Sequence, residues 1–168
     1  MGNIVDLIGS PLSAFEVTFA IILASVTRSL IISIISVVSF NFFVNINISN
    51  YSYFITYLFL SSFLLGSLGF IAGMWAEKFD NMATVTNFII VPLSFLSGTF
   101  YSIEKLPTII KGLSLYNPFF YMIDGMRYSM ISISDGPIKI GIIYLLSLNL
   151  IFWFIAYFLY KKGYKIKT

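Results

Sequence analysis

Asp124 and Arg127 are the pair in this sequence whose types and spacing invite a joint role. Three positions apart on a helix, they share a face and come close enough to form an ion pair. They lie in NPFFYMIDGMRYSM, Asn117 to Met130, where Asn117-Pro118 is a turn and helix-start signal. The rest of the chain is poor in reactive groups. It has no His, which removes the commonest general base and metal ligand, and no Cys, which removes disulfide and thiol chemistry. No Ser/His/Asp set, no paired carboxylates on one helix face, no HExxH and no G-x-x-x-x-G-K-[ST] phosphate loop occurs. The expectation is a chain with no catalytic residue, no metal site and no cofactor of its own.

The elements that must position these residues follow from composition. Of 168 residues, 58% are hydrophobic and 10% charged, with a mean hydropathy of +0.93. Soluble domains carry roughly 25% charged residues, so lipid must cover much of this surface. The net charge of +3 is too small to suggest nucleic acid. Four apolar spans can be drawn: Val17 to Val44, Tyr53 to Trp75, Met82 to Tyr101 and Ile140 to Tyr160. Each reaches the ~20 residues that a helix needs to cross the hydrocarbon. The alternating pattern of a membrane barrel is absent. The predicted fold is all-α: a polytopic transmembrane protein of about four spanning helices plus an external re-entrant helix pair. The tail KKGYKIKT holds Lys161, Lys162, Lys165 and Lys167, and the positive-inside rule places it in the cytoplasm. An even number of spans puts the N-terminus there too.

Within the spans, Arg28 is the one charge. It fits a residue that snorkels or forms a structural pair, or alternatively one that contacts a substrate. Ser62, Gly66, Gly69 and Gly73 make a small-residue row that lets helices approach closely, inside one chain or between subunits. Pro92 predicts a kink in the third span. Ahead of the first span, Ser13 and Glu16 fit a capping box, and a short helix from Asn3 to Ile8 is expected before Gly9-Ser10-Pro11. That N-terminal piece reads either as a flexible terminus or as a cytoplasmic helix touching a partner.

Between the third and fourth spans lies an insertion. Leu96 to Tyr101 is a break rich in small residues. Ile103 to Leu115 is a short amphipathic helix with Lys105 and Lys111 opposite its apolar face, and Pro118 to Met130 is a second helix. Irregular backbone at membrane depth needs protein or water around it, so this element either re-enters against helices or lies on the outer surface.

Two blocks resemble a known family. NIVDLIGSPLSAFEV, from Asn3, resembles the cytoplasmic "DLL-x-SPLS" segment of type 2 ABC transporter permeases, the bacterial exporters of polysaccharides, drugs and nodulation factors. The stretch from Trp75 to Met130 resembles their "F-D … PL-x-FLSG-x-FYS … LP … NP-x-x-Y-x-x-D-x-x-R" signature. The resemblance covers nearly the whole chain as the C-terminal two-thirds of such a transmembrane domain, residues 1–168, with two earlier spans missing. It implies a cytoplasmic coupling segment at 3–15, in which Asp6, Leu7, Ile8, Pro11 and Leu12 meet an ATP-binding cassette ATPase. It implies external re-entrant helices at 102–130, with Leu96, Gly98, Pro107, Asn117, Pro118, Asp124 and Arg127 at an external gate. ATP and Mg would belong to the separate ATPase. The assembly would pair two permease copies in the bacterial inner membrane, in contact with lipid, with both termini cytoplasmic. The competing expectation is a non-transporting structural membrane protein or an inactive truncated remnant. A channel is disfavoured because no span carries a polar stripe.

Overall fold

The computed structural model describes residues 12–45, 47–76, 79–99 and 108–163. Asp6, Leu7, Ile8 and Pro11 of the expected coupling segment, Pro107 of the expected gate, and Lys165 and Lys167 of the tail lie outside the described residues. Every regular element among the described residues is helical.

Helix α1 (Ala14–Asn41) opens on the capping box expected from Ser13 and Glu16. The Glu16 N–H donates to Ser13 Oγ at 3.3 Å, and the Ser13 N–H donates to Glu16 Oε2 at 2.7 Å. Helix α2 (Tyr51–Trp75) follows a short loop. A bent helix comes next, built from α3 (Phe79–Val85), a π turn (Thr86–Ile90) and α4 (Val91–Phe95). Helices α5 (Thr108–Tyr116), α6 (Pro118–Ile131) and α7 (Ile138–Lys161) complete the order. The last helix carries the basic Lys161 in its final turn, where the dipole favours a cation.

Among the described residues, α1, α2 and α7 are long and apolar enough to cross a membrane. The chain is thus a polytopic helical membrane protein. The third expected span is shorter than Met82 to Tyr101 suggested. Its three segments of 7, 5 and 5 residues reach about 25 Å at 1.5 Å per residue, short of the ~30 Å hydrocarbon thickness. It ends at Phe95 before the turn that holds Gly98, and its bend has its physical cause in Pro92. A proline has no N–H to give the preceding turn, and its ring crowds the carbonyl four residues back. The chain relieves this by widening the turn ahead of it, so that the Val91 N–H reaches Thr86 O.

Several hydroxyls within the long helices are satisfied by their own backbone. Thr18, Ser25, Thr27, Ser67 and Ser147 each donate to the carbonyl four residues earlier, at 2.6 to 3.2 Å. Helix α2 is the hub and packs against α1, α6 and α7. The core is Tyr57, Leu60, Leu64, Phe119, Phe120, Tyr121, Met122 and Leu145, where α2, α6 and α7 meet. The far half of α1 stands away from this core, with Ile31, Ile32, Ile34, Ile35 and Val38 all exposed.

The small-residue row of α2 divides in two. Ser62 is buried, and a Cβ on Gly66 would come within 2.9 Å of Ser25 Cβ, so α1 and α2 touch closely there. Gly69 and Gly73 face open space, with nothing within 4 Å of an added Cβ. Arg28 is exposed midway along α1 and forms no ion pair among the described residues.

Candidate functional site

Helix α6 starts where Asn117 and Pro118 say it should. Asn117 Oδ1 accepts from the Phe119 N–H at 3.0 Å, and Pro118 occupies the first turn, where a missing N–H is harmless. The same Asn117 also donates through Nδ2 to Leu93 O at 2.6 Å. One buried side chain thereby caps the start of α6 and satisfies a carbonyl near the end of α4, which helix termination leaves without an intrahelical donor.

Helix α6 is buried at Phe119, Phe120, Tyr121, Met122, Asp124, Gly125 and Ser129, so its first turn is enclosed on all sides. Gly125 is what lets α6 lie on α2. A Cβ there would sit 2.2 to 2.3 Å from three atoms of the Tyr57 ring, an impossible distance. The Tyr57 hydroxyl runs on to donate to Ile138 O at 2.6 Å, at the first residue of α7. Tyr57 thus joins α2, α6 and α7.

Asp124 is 2% exposed. Its carboxylate accepts from the N–H of Asp135 at 2.8 Å and of Gly136 at 3.0 Å. Arg127 adds a contact at 3.4 Å to the same carboxylate and a second, at 3.3 Å, to Asp135 Oδ2. Its other terminal nitrogen donates to Gly98 O. Burial pushes the Asp124 carboxyl above the ordinary carboxylate range, while the two backbone N–H groups and the guanidinium pull it back. Gly98 holds φ at 76°, a left-handed value that side chains rarely tolerate, in the turn after α4. Arg127 is therefore a clasp over three separate pieces of chain: the turn after α4, α6 itself, and the α6–α7 connection.

The α1–α2 loop secures the other end of α6. The Asn50 N–H donates to Ser129 O at 2.9 Å, and Ser49 Oγ donates to Met130 O at 2.8 Å. These are carbonyls that a helix end leaves without intrahelical partners. Helix α6 closes at Ser132, whose φ of 58° turns its N–H onto Tyr128 O. On the α5 side, the Tyr144 hydroxyl donates to Tyr116 O at 2.7 Å.

The structure thus brings together Gly98, Asn117, Pro118, Asp124 and Arg127 of the expected gate set. Leu96 lies beside them on the α4 turn and is partly exposed, and Leu12 is exposed ahead of α1. Sequence reasoning missed Asp135, although the Asp135-Gly136-Pro137 turn was a visible signal for ordered backbone there. It also missed Tyr57, one of several tyrosines in apolar runs, which only the glycine opposite singles out. No group of acidic side chains that could hold a metal ion occurs among the described residues.

A family model described as "ABC-2 type transporter" matches residues 1–131. The chain is also 30% identical over 166 residues to "Inner membrane transport permease YadH" of Escherichia coli (strain K12). The protein of the same name from Shigella flexneri matches equally. These alignments cover 99% of this chain and 65% of each relative, so the chain spans about two-thirds of the length of the curated relatives it matches. No solved structure matches it.

Proposed function

The chain belongs to the ABC-2 type transporter family, and from that premise we propose that it serves as the permease of an ATP-driven exporter in the inner membrane. In this reading two permease copies work with a separate ATPase, and ATP and Mg act only there. The segment at 3–15 docks on that ATPase from the cytoplasm. The element at 102–130 closes the outer end of the path of a substrate whose chemistry is unknown.

The observation that supports the mechanism best is the Arg127 clasp. An element lying loose on a surface has no need of a buried carboxylate held by two backbone N–H groups and an arginine. An element that must close a path and reopen does. The clasp and the Asn117–Leu93 bond link α6 to the end of the bent helix, a route by which movement at the π turn would reach α6.

The test is co-expression with an ATP-binding cassette ATPase of the same organism and co-purification of the two. The tagged chain should retain the ATPase and its hydrolytic activity in mild detergent. Replacing Leu7 and Leu12 by Asp should release it while membrane insertion persists. Retention of the ATPase by this variant would move the docking site to residues 77–81. Failure of the parent chain to hold the ATPase would count against the permease reading.

A further inference from the structure

One cation stands on a face of the molecule that meets nothing. Arg28 is exposed on α1 and forms no ion pair or hydrogen bond among the described residues. The hydroxyls beside it are turned onto their own helix, Thr27 to Leu23 O at 2.6 Å and Ser29 to Ser25 O at 3.0 Å. Its face of α1 is otherwise apolar, for Ala24, Ile31 and Ile35, at helical spacing from it, are exposed too.

The Ser25–Gly66 contact fixes the depth of that charge. Helices α1 and α2 run antiparallel across a short loop, and a Cβ on Gly66 would come within 2.9 Å of Ser25 Cβ. Arg28 follows Ser25 by three residues and Phe63 precedes Gly66 by three, both towards the loop, so Arg28 and Phe63 stand at one level. Phe63 is the midpoint of α2, 12 residues from Tyr51 and 12 from Trp75. Tyr and Trp are the residue types that favour the two interfaces of a membrane. Arg28 is therefore about 15 Å, half the hydrocarbon thickness, from the headgroups on either side. That is further than an arginine stem extends, so snorkelling does not free it.

Charged residues at such a depth are costly and pair with another group. A guanidinium is not deprotonated in proteins, so its charge must be met. Water and headgroups are absent at the bilayer centre, and acyl chains accept no hydrogen bond. A hydroxyl or carboxamide would accept from the guanidinium and leave the charge uncancelled. A carboxylate takes two parallel N–H bonds and cancels it. A second copy of this chain has none to offer there, because its seven acidic residues all lie outside the middle of its apolar spans.

We propose that the exposed face of α1 docks a membrane-spanning helix from outside these 168 residues that carries one Asp or Glu at mid-depth within an apolar face. The carboxylate pairs with Arg28, and the small Ala24 lets the two helices approach. This goes beyond the permease reading, which gives Arg28 no part.

The chain has no Cys, so S52C, at the start of α2, takes a single donor dye. The full labelled chain is reconstituted in phosphatidylcholine vesicles and titrated with a leucine-rich spanning peptide of about 20 residues. The peptide carries an acceptor dye at one end and Glu, Gln or Leu at its midpoint. Energy transfer should reach half its maximum at about ten- to a hundred-fold lower membrane concentration with Glu than with Leu, the range of a hydrogen bond to a charged group. Gln should fall between them, and R28L should erase the Glu preference. The peptide series leaves the protein unaltered, so a misfolded variant cannot produce the effect. Equal half-saturation by Glu and Leu, or by Glu and Gln, would overturn the proposal. A Glu preference that survives in R28L would overturn it too, because another group would then be reading the acid. Loss of the preference when phosphatidylglycerol replaces part of the phosphatidylcholine would overturn it in favour of a lipid phosphate.

Discussion

Asp124 and Arg127 behave as a pair only when the rest of their surroundings are counted. Removing a buried partner leaves an uncompensated charge, and Asp124 has almost no access to solvent. Arg127→Ala should therefore destabilise the chain by about 3–5 kcal/mol at most. The effect is moderated because the N–H groups of Asp135 and Gly136 still hold the carboxylate. Asp124→Ala should be comparably damaging, since it strands those two donors. The double variant should lose less than the sum of the singles, measured by thermal unfolding in detergent. Strict additivity would mean that the two side chains do not interact. Gly125 gives a sharper test. Gly125→Ala should cost roughly 1–3 kcal/mol or more by overpacking against Tyr57. The same substitution made on a Tyr57→Ala background should cost much less. Equal costs in both backgrounds would mean that α6 does not lie on Tyr57. The Asp124–Arg127 contact was legible from spacing alone. Asp135 was not, because its role depends on how the chain returns after α6, and the Tyr57–Gly125 contact depends on tertiary packing.

At the scale of elements, the α1–α2 contact is local to Gly66. A side chain there meets Ser25, so Gly66→Leu should lower stability by about 1–3 kcal/mol. Gly69→Ala and Gly73→Ala meet nothing and should leave the monomer within about 0.5 kcal/mol of the parent. Thermal unfolding of the three variants side by side checks this, and a large loss at Gly73 would place another surface against it. The long helices could be read within a few residues because length and hydropathy alone determine them. The capping box was equally plain, since it is a local pattern. The bent helix could not be read to its true length. Pro92 predicted a kink, but a widened turn depends on which carbonyl the backbone finds once the regular donor is gone.

At the scale of the whole molecule, the Lys-rich tail predicts both termini on the cytoplasmic side. Cysteines introduced at Ser52, at the start of α2, and at Lys111, on α5, should react with an impermeant thiol reagent in intact cells. One at Lys165 should stay unlabelled until the membrane is opened. The chain's lack of native Cys makes the background clean. Labelling of Lys165 in sealed cells would invert the orientation, leaving the packing described here intact.

The bonds that hold α2 in place reach far along the chain. Tyr57 and Ile138 are 81 residues apart, Ser49 and Met130 also 81, and Leu60 and Asn149 89. A ribosome adding about 5–20 residues per second needs roughly 4 to 16 s to cross such an interval. For that time the Tyr57 hydroxyl has no Ile138 carbonyl to meet, and Ser49 has no helix end to cap. Each new copy therefore passes through a period of several seconds in which it looks unfinished to a membrane protease, and the arrival of α6 and α7 ends that exposure.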